Sequence, residues 1–142
     1  MGLDFTHQIE IDRAAAEVFA YVADFENNPR WQAGMQSCTW TSPTKLETGS
    51  TYVQQARFFG RQIDTHFRVT AFEPDRSISI ESTVSTFPIQ VTRSVEALGD
   101  GRCRVTAHVR GQPTGVLRLF SGMVRKSIRR DYEKLKALLE SQ

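Results

Sequence analysis

The last fifth of the chain constrains the fold most. From about Thr114 to Glu140, the apolar residues Val116, Leu117, Leu119, Phe120, Met123, Val124, Ile128, Leu135, Leu138 and Leu139 recur at steps of three and four. That is the period of one helix face. A helix over this span is roughly 40 Å long at 1.5 Å per residue. A rod so long and one-sided needs a large apolar surface to lie on. The only candidate is a sheet made by the strands before it. A curved sheet gripping one long helix leaves room between them for a small apolar molecule.

The strands follow from period-two alternation. Phe5, His7, Ile9 and Ile11 alternate with polar neighbours in a first strand. Asp12 is placed to cap a helix from about Arg13 to Ala23, with Val18, Phe19 and Val22 as its apolar stripe. Asp24 starts a second short helix, with Pro29 in its first turn, Trp31 toward its end and Gly34 as the stop. Six strands follow. Cys38 and Trp40 mark the first of them, and about Thr51 to Phe59 the next. Gln62 to Phe72 comes third, with Ile63, Thr65, Phe67, Val69 and Ala71 on one face. Ile78 and Ile80 mark a fourth, Phe87 to Ala97 a fifth, and Cys103 to Val109 the last. Glu73-Pro74-Asp75 and Gly99-Asp100-Gly101 are turns. Consecutive strands with short turns make an antiparallel meander. The expectation is an α+β fold in the order β-α-α-β6-α: seven antiparallel strands curved around a long C-terminal helix.

At 142 residues the chain reads as one domain over residues 1–142. It is long enough to bury a core without staples. Cys38 and Cys103 fit no zinc spacing and no disulfide framework, so both are expected reduced and buried, with no metal and no cofactor. A net charge of +2 argues against nucleic acid as partner. No leader pattern opens the chain, and no apolar run approaches the length of a membrane span. The expected location is cytoplasmic. The sequence fixes no oligomeric state.

Several segments together carry a family resemblance. They are Ile9-Glu10-Ile11-Asp12, Ala16-Glu17-Val18-Phe19-Ala20-Tyr21-Val22-Ala23-Asp24 and Asn28-Pro29-Arg30-Trp31, then the run from Phe67 to Arg76, and finally Leu135-Lys136-Ala137-Leu138-Leu139-Glu140. The chain resembles the START-like, or Bet v 1-like, superfamily (SRPBCC) with its helix-grip fold, in the branch labelled polyketide cyclase/dehydrase and lipid transport. The resemblance covers essentially the whole chain. It implies a ligand site between the concave sheet face and the last helix. Its carriers are mostly caps, turns and core, so it does not choose among cyclases, carriers and receptors.

Strand phase then supplies the candidate wall: Tyr52, Gln54, Ala56, Phe58, Thr65, Phe67, Val69, Ile78, Ile80, Phe87, Ile89, Val91, Arg93, Val105, Ala107 and Val109. Val53, Arg57 and Phe59 are the alternative phase of the third strand. Phe120, Met123 and Val124 come from the helix, with Trp31 and Met35 at a mouth. The same residues would equally fill a solid core.

Arg93 stands in phase with Val91 and Val95 and should point inward. It would anchor a ligand carboxylate, phenolate or carbonyl, or else pair with an internal Asp or Glu or reach water at the rim. In the first case Arg93→Ala weakens ligand binding and leaves the fold intact. His7 is also inward, as a general acid–base or as a structural histidine. Gln54, Thr65 and Ser82 are candidate orienting groups. His66 and His108 should face solvent, and Glu81 and Glu96 point outward. The helix carries Arg118, Arg125, Lys126, Arg129, Arg130, Lys134 and Lys136. This basic face suits transient contact with an anionic membrane, or is a solvated helix face.

Three functions follow. The first is a carrier or sensor for a small hydrophobic molecule such as a lipid, polyketide or aromatic. The second is a polyketide cyclase, aromatase or dehydratase using the same cavity, with Arg93 stabilising enolate charge and Tyr52 relaying protons. The third is a protein-interaction module.

Overall fold

The computed structural model describes residues 2–58, 60–113 and 121–142, with Phe58 described by its backbone alone. The elements run β1 (Leu3–Ile11), α1 (Ala15–Ala23), a 3-10 helix (Phe25–Arg30), β2 (Met35–Trp40), β3 (Thr51–Phe58), β4 (Arg61–Glu73), β5 (Ser77–Val84), β6 (Ile89–Ala97), β7 (Cys103–Gly111) and α2 (Ser121–Glu140). All seven strands form one antiparallel sheet in the order β1-β7-β6-β5-β4-β3-β2. This is the expected helix-grip arrangement. The start of the expected last helix, with Val116, Leu117, Arg118, Leu119 and Phe120, lies outside the described residues.

Register organises the concave face into rows. His7, Ala107, Arg93 and Ile78 are successive partners across β1, β7, β6 and β5. Phe5, Val109, Val91 and Ile80 form the adjoining row. On the other wing, Trp40, Tyr52 and Phe67 stand in register. The Tyr52 phase of β3 is therefore the inward one, and the Val53 phase faces away.

Four local expectations are corrected. Asp12 does not cap α1. The helix starts after Ala14, two residues beyond Asp12, and no side chain caps it. The Asp12 N–H donates instead to Glu140 Oε2 at 2.8 Å, and its carboxylate pairs with Arg102 at 3.2 Å.

The second short helix is 3-10, with Pro29 as its fifth residue. Proline has no N–H to continue an α-helical ladder, so the turn tightens and ends. Asp24 does cap it, accepting from Glu26 N–H. The Trp31 N–H then closes back on the Asn28 carbonyl at 3.1 Å.

In β4, register shifts between Val69 and Ala71. This bulge turns Ala71 outward and Phe72 inward, where it meets Phe19 at 6.0 Å. Phe87 precedes β6 rather than opening it.

Gly34 needs to be glycine. Its φ is +80°, and a Cβ there would sit 3.0 Å from the Arg57 carbonyl oxygen. That contact presses the corner before β2 onto β3, where the Arg57 N–H donates to the Gly34 carbonyl at 2.8 Å.

Leu135 is wholly buried and Leu139 nearly so, which fastens the C-terminal half of α2 to the sheet. Burying one leucine contributes about 2 kcal/mol. Polar ties finish the seam. Lys136 Nζ donates to the Glu10 carbonyl at 2.6 Å, and Arg13 Nε to the Leu139 carbonyl at 2.7 Å. Glu140 accepts from Lys136 and from the Asp12 N–H, and these bonds hold its carboxyl below the ordinary glutamate range.

A carboxyl with a depressed folded pKa stabilises above its unfolded value, and that stability is lost as pH falls through the folded one. Glu140→Gln is therefore expected to lower the urea midpoint at neutral pH. The gap to the parent should close once the pH drops below the glutamate range. A gap unchanged by acid would show that the carboxylate is not the tie.

Candidate functional site

Arg93 sits in the middle of β6, 4% exposed, and points inward as its phase requires. Its Nη1 donates to the Val22 carbonyl at 2.8 Å and to Asn28 Oδ1 at 2.9 Å. The guanidinium lies 4.7 Å from the Phe25 ring centre and 4.9 Å from that of Trp31. It forms no ion pair with a described carboxylate, and it does not reach solvent at a rim. The internal Asp or Glu partner is thus replaced by a carbonyl, an amide and two π faces. Arginine suits this, because its planar charge is weakly hydrated and stacks on aromatic rings.

A second run of side chains extends from it. The Trp31 ring meets Tyr132 of α2 edge-on at 4.8 Å, and Tyr132 meets His7 of β1 at 6.0 Å. Burial raises the Tyr132 phenol above its usual pKa, against the lowering influence of Arg93. Burial also lowers His7, helped by the positive charge of Arg129, so its imidazole is neutral at pH 7. Three buried atoms in this run have no hydrogen-bond partner: His7 Nε2, Trp31 Nε1 and Arg93 Nε. The last two can only donate. Buried polar atoms are normally satisfied, so three without a protein partner in one connected group make this the candidate polar point of the site. Ala107 stands between His7 and Arg93 in register, buried at 1% exposure.

The expected wall residues separate into two groups. Tyr52 and Phe67 belong to the solid wing. Tyr52 is stacked between Phe25 at 4.8 Å and Phe67 at 5.1 Å, with Trp40 edge-on at 5.6 Å. Burial holds its phenol well above the usual range, so it does not ionise near neutral pH. Thr65, Val69, Ile78 and Ile80 are buried with this wing. Cys38 and Cys103 are free and buried, and burial pushes the Cys38 thiol up to about 11.

Along the other wing, Val109 of β7 and Ile89 and Val91 of β6 are only half-buried although they lie on the inward face, and so are Met35 of β2 and Gln54 and Ala56 of β3. Phe87, also half-buried, packs against Gly111. Ser82 is inward, but its Oγ accepts from the Ile89 N–H at 2.9 Å and from Ser85 Oγ, so it holds the β5–β6 turn. His66 is exposed, and His108 pairs on the outer face with Asp4 at 2.7 Å. Glu81 and Glu96 face outward, onto Arg68 and Arg104. Phe120 and the side chain of Phe58 lie outside the described residues.

Met123 and Val124 line a different concavity. A groove of about 550 Å³ runs between the early turns of α2 and the corner before β2, lined by Ala33, Gly34, Arg57, Met123, Val124, Lys126, Ser127, Ile128 and Arg130. Beside Arg130, Asp131 is buried and accepts from the Ala33 N–H at 3.2 Å. Burial raises the pKa of this carboxyl.

Sequence reasoning missed Asn28, Tyr132 and Asp131. Asn28 was visible only as part of a segment signature. Tyr132 did carry a signal, since it falls four residues after Ile128 and three before Leu135 on the apolar stripe of α2.

A family model described as polyketide cyclase / dehydrase and lipid transport matches residues 3–140. The chain belongs to this family. No curated protein sequence matches it at a significant level. Among solved structures, a START superfamily protein from Mycobacterium smegmatis superposes with a TM-score of 0.74 at 16% identity, over 97% of this chain and 94% of that one. The di-domain ARO/CYC BexL from the BE-7585A biosynthetic pathway gives 0.78 at 21% identity, over 96% of this chain and 46% of that one. The Zhui aromatase/cyclase from Streptomyces sp. R1128 gives 0.77 at 10% identity, over 99% and 93%. These likenesses establish the fold that the family shares. No helix among the described residues is long and apolar enough to cross a membrane.

Proposed function

We propose that this chain is a single ligand-binding domain that holds a small, mostly apolar molecule against the concave sheet face beneath α2, as a carrier or sensor. One observation carries the reading. Two buried donor-only atoms, Trp31 Nε1 and Arg93 Nε, are unpartnered in the same connected group as His7 Nε2. Half-buried apolar side chains lie in the rows beside them. Such a site takes an apolar body bearing at least one acceptor oxygen. The family description, with its cyclases and lipid transporters, supports the same chemistry.

The test is native mass spectrometry of the protein purified from its own host. A bound mass is expected, released on unfolding and identified as an apolar molecule with a carbonyl, phenol or carboxyl. Val91→Trp, which fills the half-open floor, should reduce occupancy severalfold while the protein stays folded. An unliganded parent that also ignores fatty acids, polyketides and aromatic acids would overturn the reading.

His7 supports a second reading, a cyclase or dehydratase. Its imidazole is neutral near pH 7 and its Nε2 is free, as a general base requires. Turnover of a poly-carbonyl substrate that is lost in His7→Gln would select it over the carrier.

A further inference from the structure

The cations of this chain divide by place. On the outer faces and along the α2 seam most are paired: Arg68 with Glu81, Arg102 with Glu10 and Asp12, Arg104 with Glu10 and Glu96, Arg110 with Asp4, and Lys136 with Glu140, while Arg30 and Lys134 are exposed without an ion pair among the described residues. Where the β3–β4 hairpin meets the start of α2 they are not. Arg57, Arg61, Arg125, Lys126, Arg129 and Arg130 are all exposed, and none forms an ion pair with a described carboxylate. Three carboxylates are close in sequence. Asp131 is buried on Ala33, while Glu133 is exposed one turn further along α2 and Asp64 is exposed beyond the hairpin. With those three carboxylates counted, this end carries +3, and the remaining twelve Lys and Arg stand against thirteen Asp and Glu. The net charge of +2 is therefore carried by this end of the molecule.

The same end shows apolar side chains to solvent. Met123 is 51% exposed and Val84 62%. Val84 ends β5 opposite His66, on the side of the sheet where β4 begins. The groove beside Met123 has an apolar floor and a rim of Arg57, Lys126 and Arg130, and no carboxylate lines it.

We propose that this end docks on an anionic lipid bilayer, with Met123 and Val84 entering the headgroup layer and the six cations meeting lipid phosphates and carboxylates. Interfacial binding combines these two ingredients, apolar area and unpaired cations. A single bound anion would need the cations to converge, and here they spread over a hairpin and two flanks of a helix, with Arg125 and Arg129 lying over Phe5 on the β1 side. Nucleic acid has no use for an exposed methionine and valine. The proposal does not depend on what the interior holds.

The experiment is cosedimentation with phosphatidylcholine vesicles, with and without phosphatidylserine, at low and high salt. Binding is expected only with phosphatidylserine present, and it should fall as salt screens the charges. Each Lys or Arg near such a surface is worth about a fivefold change in partition. The triple variant Arg57→Gln/Lys126→Gln/Arg130→Gln should therefore bind on the order of a hundredfold more weakly. Met123→Ser should weaken binding severalfold without altering charge. Lys45→Gln, at the opposite end of β3, should change nothing. All five positions are exposed, and circular dichroism checks that each variant is folded. Equal binding to pure phosphatidylcholine, or a triple variant that binds like the parent, would overturn the proposal. Tighter binding to a short oligonucleotide than to vesicles would reassign the surface to nucleic acid, and loss of vesicle binding in millimolar inorganic phosphate would reassign it to a discrete anion site.

Discussion

Arg93→Ala is expected to destabilise the protein by about 3 kcal/mol in urea unfolding, with or without ligand. Three losses combine. The Val22 carbonyl and Asn28 Oδ1 lose their donor in a buried site. The faces of Phe25 and Trp31 lose the cation stacked on them. The shortened side chain leaves a hole where the guanidinium lay. This reverses the expectation that alanine would disturb binding alone, because Arg93 joins β6 to the end of α1 and to the 3-10 helix. Arg93→Lys keeps the charge but loses the planar fork, and should recover less than half of the loss. A cost below about 1 kcal/mol for the alanine variant would show that these contacts contribute little net stability.

Trp31→Ala is expected to cost about 4 kcal/mol, the largest effect of any single substitution considered for this chain. Trp31 is fully buried between the guanidinium of Arg93 and the ring of Tyr132, so its removal opens a cavity at the junction of sheet, 3-10 helix and α2. Trp31→Phe separates packing from hydrogen bonding. Nε1 has no partner in the unliganded protein, so phenylalanine should cost only about 1 kcal/mol. If the indole N–H holds a ligand oxygen, the same variant should bind that ligand about tenfold more weakly. Unchanged affinity in Trp31→Phe would remove the indole from the site.

The residues show why some of this was legible in advance. Alternation in β1 and β7 gave the inward face correctly, because which side a strand residue faces is set by its own backbone, whereas in β3 it left two phases open until register with Trp40 and Phe67 chose between them. It failed at Ala71, where one extra residue in β4 shifts the phase and nothing in the local alternation announces it. The Asp24 cap was legible, since capping is decided within a few residues. Asp12 was misread because Arg102, 90 positions away, pairs with its carboxylate. The candidate site divides in the same way. Arg93 and His7 were visible by phase, whereas Asn28 and Tyr132 become site residues only through the elements they meet.

Periodicity and turn chemistry act over a few bonds, and they were enough for the element order, the antiparallel meander, the buried cysteines and the inward face of β1, β6 and β7. What Arg93 bonds to, which inward residues are solid core and which are half-buried, and the gathering of six unpaired cations at one end emerge once the chain is folded. Those facts depend on side chains 65 or 71 positions apart in the chain arriving within 3 Å of each other, and no local pattern encodes that arrival.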